Sequence, residues 1–296
     1  MQKTMLGKTG YGVSRVTYGA IVSTDETQAD SDRYVAQAVD LGVNYFDVAP
    51  SYGDAEIKLG ISLAPYRKQV YLACKTMERR KDAAQKELEQ SLKNLKTDWF
   101  DNFQLHAVTT REDVETAFGP GGTMELLRDL KEQGMIRRIG ITAHSEQAAL
   151  ECLKRYPFDT VMFPLNWMLH MGQGMGSDLK NAAEEQGFGL IGIKSIILRA
   201  WKDEAERRAS IWPKSWCRPI GQKDKAFRLA AMKYTLSLGA HTLIPPGNWE
   251  SFHFMAEHID EAAKNPLNDE DIKLLNEKCQ AVQDQPFFAH DRVRWH

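Results

Sequence analysis

The chain has few cysteines, no long apolar run and almost no net charge. The four cysteines, Cys74, Cys152, Cys217 and Cys279, lie far apart and form no CxxC pair. Neither a zinc knuckle nor a disulfide framework is expected, and a reducing, cytoplasmic setting fits best. No stretch approaches the roughly 18 apolar residues of a membrane span. The opening residues, MQKTMLGKTGYGVSRV, contain no apolar signal core, so export is not expected. With 38 Lys and Arg against 40 Asp and Glu, the net charge is −2. Nothing in that balance points to nucleic acid or an anionic membrane surface as a partner. No Gly/Ser- or Pro-rich linker marks a boundary, so residues 1–296 are expected to form one domain. A metal is not expected either, because no HxH stands at a strand end and no carboxylates cluster there.

What is present is a regular alternation. Hydrophobic content of 43% and charged content of 26% are ordinary for a soluble globular chain. Apolar runs of strand character occur near 15–19, 43–47, 70–75, 100–106, 136–142, 160–164, 189–194 and 241–245. Helix-type segments lie between them. In 84–95, Leu88, Leu92 and Leu95 share one face. Segment 123–134 ends in Gly134, as a helix C-terminus does, and 145–155 begins at Ser145, a capping residue. Segments 176–187, 222–239 and 248–264 read the same way. Alternating β and α elements build either an open doubly wound sheet or a closed barrel. Eight units in about 250 residues favour the (β/α)8 TIM barrel. A short hairpin turning at Gly7–Gly10 is expected to cap the barrel bottom, and an extra helix capped by Asn268 to follow the last barrel helix. Two stretches, 167–176 and 196–221, are too long for simple connections and are read as rim loops.

Four residues then stand out. Asp47 ends VNYFD, Tyr52 follows five residues later, Lys75 ends VYLACK, and His106 ends FDNFQLH. In a barrel of this kind the strand C-termini form the active site. A free tyrosine, with a pKa near 10, is a poor acid or base at neutral pH. A neighbouring ammonium favours the phenolate, a carboxylate orients the ammonium, and an imidazole can hold a carbonyl oxygen in line. Each residue alone would be an ordinary turn, cap or packing residue. Together and in this order they describe a proton-donating site. Trp167, Trp212 and Trp216 are candidates for an aromatic wall, Trp216 foremost. Cys217 is expected to be a plain buried residue, and KDEAERR (202–208) a solvated helix face.

The string GVNYFDVAPSYG (42–53), together with Lys75, His106, LKEQGMIRRIGIT (130–142), FPLNW (163–167) and TLIPPG (242–247), resembles the aldo-keto reductase family over nearly the whole chain. That resemblance implies NAD(P)H-dependent reduction of a small-molecule carbonyl substrate. By it, Tyr52 is the acid, Lys75 depresses its pKa, Asp47 partners the lysine, and His106 orients the substrate. It also implies cofactor contacts from Thr142, His144 and Asn166 to the carboxamide, and from Pro245, Gly247 and Asn248 near the phosphates. NADP(H) is implied ahead of NAD(H). However, no arginine occurs between 229 and 291, where a 2′-phosphate would be gripped; Lys194, Arg199, Lys223 and Lys225 are the possible substitutes. The alternative reading is a cofactor-bound regulatory protein on the same fold with little turnover.

Overall fold

The structure, a computed structural model, describes residues 1–282. A hairpin of β1 (Lys3–Met5) and β2 (Gly12–Ser14) leads into β3 (Tyr18–Gly19). Then come β4 (Tyr45–Asp47), β5 (Tyr71–Thr76), β6 (Asn102–Val108), β7 (Ile139–Ala143), β8 (Thr160–Phe163) and β9 (Gly189–Ile193). β10 (Ile197–Arg199) and β11 (Arg218–Pro219) form a separate antiparallel pair, and β12 (Thr242–Ile244) is the last strand. The strands β3, β4, β5, β6, β7, β8, β9 and β12 make one eight-stranded sheet of parallel pairs. Leu243 bridges Val16, so the two edge strands meet and the sheet closes into the expected (β/α)8 barrel. Inside that seam the hydroxyls of Thr17 and Thr242 hydrogen-bond at 2.8 Å.

Because helices cover the outside and side chains fill the inside, both faces of each strand are buried, which is why the strands read as nearly continuous apolar runs. Outward residues such as Phe46, Leu72, Phe103, Ile141, Val161 and Leu243 pack under the helices. Inward residues Tyr45, Ala73, Met162, Ile191 and Ile244 form a second, smaller core within the barrel, plugged from below by Leu6 and Val13 of the hairpin. The side-chain period of two therefore fixes which residues reach the top of the lumen. Asp47 lies two beyond Tyr45, Lys75 two beyond Ala73, and Ile244 two beyond Thr242.

The helices are α1 (Gln28–Asp40), α2 (Ala55–Ser62), α3 (Lys81–Asn94), α4 (Arg111–Phe118), α5 (Thr123–Glu132) and α6 (Glu146–Arg155). The second half of the chain adds α7 (Trp167–Gln173), α8 (Ser177–Gln186), α9 (Glu204–Ala209), α10 (Lys225–Ser237), α11 (Trp249–Lys264) and α12 (Asp269–Val282). Ser145 caps α6 by accepting from Ala148 N, and Asn268 caps α12 by accepting from Asp271 N, as expected. Among the described residues no helix is long and apolar enough to cross a membrane.

Both stretches read as rim loops contain regular structure. Residues 167–173 are α7, started by Asn166, whose Oδ1 accepts from Leu169 N. The run WMLHMGQ is apolar on most sides because the helix packs against α10 and α12, so it shows no amphipathic period. Trp167 is fully buried and its indole donates to Ile197 O, which makes it core rather than a substrate wall. The stretch 196–221 carries β10, α9 and β11. The charged run 202–208 does more than face solvent: Glu206 joins Arg199 at 2.5 Å and Arg218 at 2.7 Å.

The barrel bottom leaves no room beneath the hairpin turn. A Cβ on Gly7, which has φ +52°, would lie 2.4 Å from the backbone of Phe188 and Gly189. Gly10 has φ +80° and open space around it. Gly10→Ala is expected to cost about 1 kcal/mol for the left-handed backbone alone. Gly7→Ala adds a backbone clash and should cost roughly 3 kcal/mol or more in urea unfolding. Equal losses at the two positions would contradict this seating of the hairpin.

Candidate active site

The top inward residues of successive strands converge on one cavity of about 100 Å³. Asp47, His106, Thr142, Met162, Ile193 and Ile244 supply its floor and walls. Tyr52, His144, Lys194, Trp216, Cys217 and the turn Pro245–Gly247 surround the opening, with Ile21 beside them. A wider groove of about 690 Å³ between α6 and α8 lies outside the barrel and contains none of these candidates.

Lys75 is completely buried. Its Nζ donates to Asp47 Oδ2 at 2.6 Å and to the Val48 carbonyl at 3.0 Å, and lies 3.4 Å from Tyr52 Oη. Gln104 Nε2 supports the other Asp47 oxygen at 3.4 Å. Burial works against a charged Lys75, but the adjacent Asp47 overcomes this and raises its pKa, so the ammonium persists. For Tyr52, burial raises the pKa, Lys75 pulls it down and Asp47 pushes it up; the net direction is upward. The ammonium therefore offsets the burial of the phenol without making it a strong acid in the resting site. The phenol stays protonated at neutral pH, with a cation beside the oxygen on which negative charge would develop.

Tyr52 sits in the β4–α2 loop. Thr24 Oγ1 donates to its carbonyl at 3.0 Å, and Asp25 N donates to Asp54 Oδ1 at 3.0 Å. His106 faces it edge-on, with ring centroids 5.9 Å apart. Burial lowers the His106 pKa to about 2, with Lys75, His144, Arg79 and Lys194 adding to the effect. Its Nδ1 is buried with no hydrogen-bond partner. Burial and Lys194 bring the His144 pKa down to about 3. Both imidazoles are thus neutral, and His106 is poised to donate a hydrogen bond rather than a proton.

The remaining candidates separate by position. Lys194, at φ +64°, turns into the mouth, with its Nζ 3.0 Å from His144 Nε2. Thr142 reaches the cavity, but its hydroxyl accepts from Ala107 N at 2.7 Å. Asn166 is fully buried as the α7 cap and does not line the cavity. Asn248 likewise caps α11, accepting from Ser251 N at 2.8 Å and donating to Ser215 Oγ at 2.9 Å. Trp216 does line the mouth, 59% exposed and 6.4 Å edge-on from Tyr52. Cys217 is buried against the cavity, and burial pushes its thiol up to about 12, so it is no nucleophile. Sequence reasoning missed the apolar lining of Ile21, Met162, Ile193 and Ile244. The period-two alternation within each strand was the signal that would have found the last three.

The model of the aldo/keto reductase family matches residues 10–241. The chain belongs to the aldo/keto reductase family. Members are oxidoreductases that use nicotinamide cofactors. The chain is 28% identical over 177 residues to the Bacillus subtilis oxidoreductase YqkF, which covers 55% of each protein. It is 27% identical over 256 residues to L-galactose dehydrogenase of Arabidopsis thaliana, covering 79% of this chain and 75% of that one. The match to YqkF, like that to the Bacillus subtilis aldo-keto reductase YhdN at 54%, spans only about half of the relative's length. Among solved structures, the aldo-keto reductase AKR11C1 of Bacillus halodurans superposes with a TM-score of 0.69 at 20% identity, covering 94% of this chain and 96% of that one. That likeness concerns the fold.

The two neutral histidines make stability depend on pH. In the unfolded chain a histidine takes up a proton near pH 6.5, whereas His106 and His144 refuse it until about 2 and 3. Below pH 6.5 the unfolded state thus binds more protons and stability falls on acidification, by up to about 1.4 kcal/mol per pH unit for each histidine. Urea unfolding is expected to show a loss of about 1–3 kcal/mol between about pH 7.5 and about pH 5.5, most of it abolished in the double variant His106→Gln/His144→Gln. A wild type equally stable at both pH values would contradict neutral burial.

Proposed function

We propose that this aldo/keto reductase reduces an aldehyde or ketone to the alcohol with NAD(P)H, Tyr52 giving the proton. The observation that carries this reading is the 2.6 Å Lys75–Asp47 pair lying beneath the Tyr52 hydroxyl at the wall of a ring-sized cavity. The space of about 100 Å³ is open at the rim, so a planar ring can enter it edgewise with the rest of its molecule outside. Its apolar walls, Ile193, Ile244 and Pro245, suit the face of a nicotinamide ring, and Thr142, His144 and Lys194 offer polar atoms at the edge. The residues present therefore fit the reacting end of the cofactor, with Gly247 at the turn beyond. When bound, the reduced nicotinamide supplies the hydride.

The protein's own residues manage the rest. His106, neutral at working pH, orients the carbonyl oxygen by a hydrogen bond. Tyr52 gives its proton to that oxygen as negative charge builds there. Lys75 stabilises the phenolate left behind, and Asp47 keeps Lys75 charged and aimed. General acid catalysis of this kind contributes roughly 10²–10⁴-fold. Trp216, exposed above Tyr52, is the proposed contact for the substrate body.

We also infer that the chain discriminates weakly between the two cofactors, rather than favouring NADP(H) as the family resemblance implies. The first turn of α11 presents Trp249 and the acidic Glu250. Of the nearby cations, Lys225 pairs with Glu261, and Arg228 is buried with its guanidinium 3.9 Å over Phe254. Lys194 shares the cavity of Tyr52, at the reacting end, whereas a 2′-phosphate lies at the far end of a dinucleotide. Fluorescence titration is expected to give NADPH and NADH dissociation constants within about tenfold of each other, a difference of about 1.4 kcal/mol or less. A hundredfold preference for NADPH would reveal a phosphate grip elsewhere.

Tyr52→Phe is expected to lower kcat by at least about a hundredfold while leaving the cofactor dissociation constant within about twofold. Near wild-type turnover in that variant would remove Tyr52 from its role as proton donor.

A further inference from the structure

The strand that presents His106 is irregular where it matters. Leu105 pairs with Ile141 of β7 and Val108 with Ala143, so His106 and Ala107 together face the single residue Thr142. Such a bulge re-aims a side chain and leaves backbone groups outside the ladder. Ala107 has φ +52°, a left-handed conformation that non-glycine residues rarely adopt because Cβ crowds the backbone. A strained corner of this kind persists only where its surroundings hold it.

Each group at the corner is held. Ala107 N donates to Thr142 Oγ1 at 2.7 Å, and Thr109 Oγ1 donates to the Ala107 carbonyl at 3.0 Å. The His106 carbonyl accepts from Arg79 Nη2 at 2.7 Å. Arg79 comes from the β5–α3 loop, four residues beyond Lys75. Its Nη1 donates to the Met77 carbonyl at 3.0 Å and its Nε to Asp113 at 3.0 Å. Asp113 is itself fixed by the amides of Thr109 and Thr110 in the α4 capping box. One guanidinium thereby ties together the end of β5, the end of β6 and the start of α4.

We propose that Arg79 is a positioning residue for His106: by holding the carbonyl of the bulged residue, it sets where the imidazole meets the substrate oxygen. This rests on the reading of His106 as the residue that orients the carbonyl. The planar fork of Arg79 serves three partners at once, which a lysine ammonium on a flexible stem cannot reproduce. The positive charge of Arg79 also adds to the burial and the neighbouring cations that keep His106 neutral. Misplacement of a positioned group by about 1 Å can cost on the order of a hundredfold in rate.

The test is a double-mutant cycle with an aromatic aldehyde, 4-nitrobenzaldehyde, as substrate, thermal unfolding as the check on folding, and cofactor fluorescence as a second readout. Arg79→Met and Arg79→Lys are each expected to lower kcat by about 10–100-fold, with the cofactor dissociation constant unchanged within about twofold. In a His106→Gln background, Arg79→Met should cost less than about twofold further, because the residue it positions is gone. Should Arg79→Met fold poorly, Asp113→Asn, which loosens the anchor of Arg79, is expected to lower kcat in the same non-additive way. A full loss from Arg79→Met on top of an impaired His106→Gln, or rescue by Arg79→Lys, would overturn the positioning role. A His106→Gln protein as active as wild type would overturn the reading of His106 on which the inference rests.

Discussion

The ion pair of Lys75 and Asp47 is the interaction on which the site depends. It is buried at the top of the lumen, out of reach of water, so neither charge could remain there without its partner. Removing one member of a buried pair costs about 3–5 kcal/mol, because the other is left uncompensated. The barrel makes the pair geometrically inevitable: Asp47 sits opposite Ala73 in the β4–β5 register, and Lys75 is the next inward residue on β5. The ammonium then has one direction left in which to act, toward the Tyr52 hydroxyl.

The rim around this pair is stiff rather than loop-like. Lys194, which lines the mouth, has a positive φ, as do Asp25, whose amide binds the Tyr52 loop at Asp54, and Ala107, next to His106. Each is tied by hydrogen bonds to a neighbouring βα unit. The Tyr52 loop is held by Thr24 and Asp25. The 20–26 segment is in turn clamped by Lys214, which donates to the carbonyls of Val22 and Thr24 and pairs with Glu26. The excursion between β9 and α10 therefore reaches across the seam of the barrel and steadies the loop that carries Tyr52. The strained backbone and its hydrogen bonds fix the relative placement of the phenol, the imidazole and the ammonium.

Much of this could be read from the residues alone. The alternation of strands and helices announced the barrel, because burial on both faces leaves an unmistakable apolar run. The tetrad was legible because each member ends, or closely follows, such a run. Other features were hidden for physical reasons. Asn166 and Asn248 have side chains suited both to a ligand amide and to a helix N-terminus; in the structure the Oδ1 of each caps a helix, while Asn166 Nδ2 is buried without a partner. The α7 segment carries no amphipathic period, since it is covered on several sides. Thr110 and Asp113 form a capping box whose residue types were present in the sequence, but α4 was not among the segments expected to be helical. Arg79 belongs to a short charged stretch, MERR, that looks like exposed loop; its bond to the His106 carbonyl reaches a bulge 27 residues further along, which no local pattern discloses. The upward shift of Tyr52 also ran against expectation, because desolvation outweighs a cation 3.4 Å away.

In the proposed site the Lys75 ammonium, held by Asp47, governs the proton affinity of Tyr52. The most direct measurement is the pH dependence of alcohol oxidation, the reverse reaction, in wild type and in Lys75→Met. In that direction Tyr52 must accept a proton, so the rate rises as the phenolate becomes accessible. Loss of the ammonium is expected to move this rise to higher pH by about one unit or more, the equivalent of roughly 1.4 kcal/mol in the phenolate. A pH profile unchanged in Lys75→Met would contradict the coupling of Lys75 to Tyr52 and, with it, the account of the site.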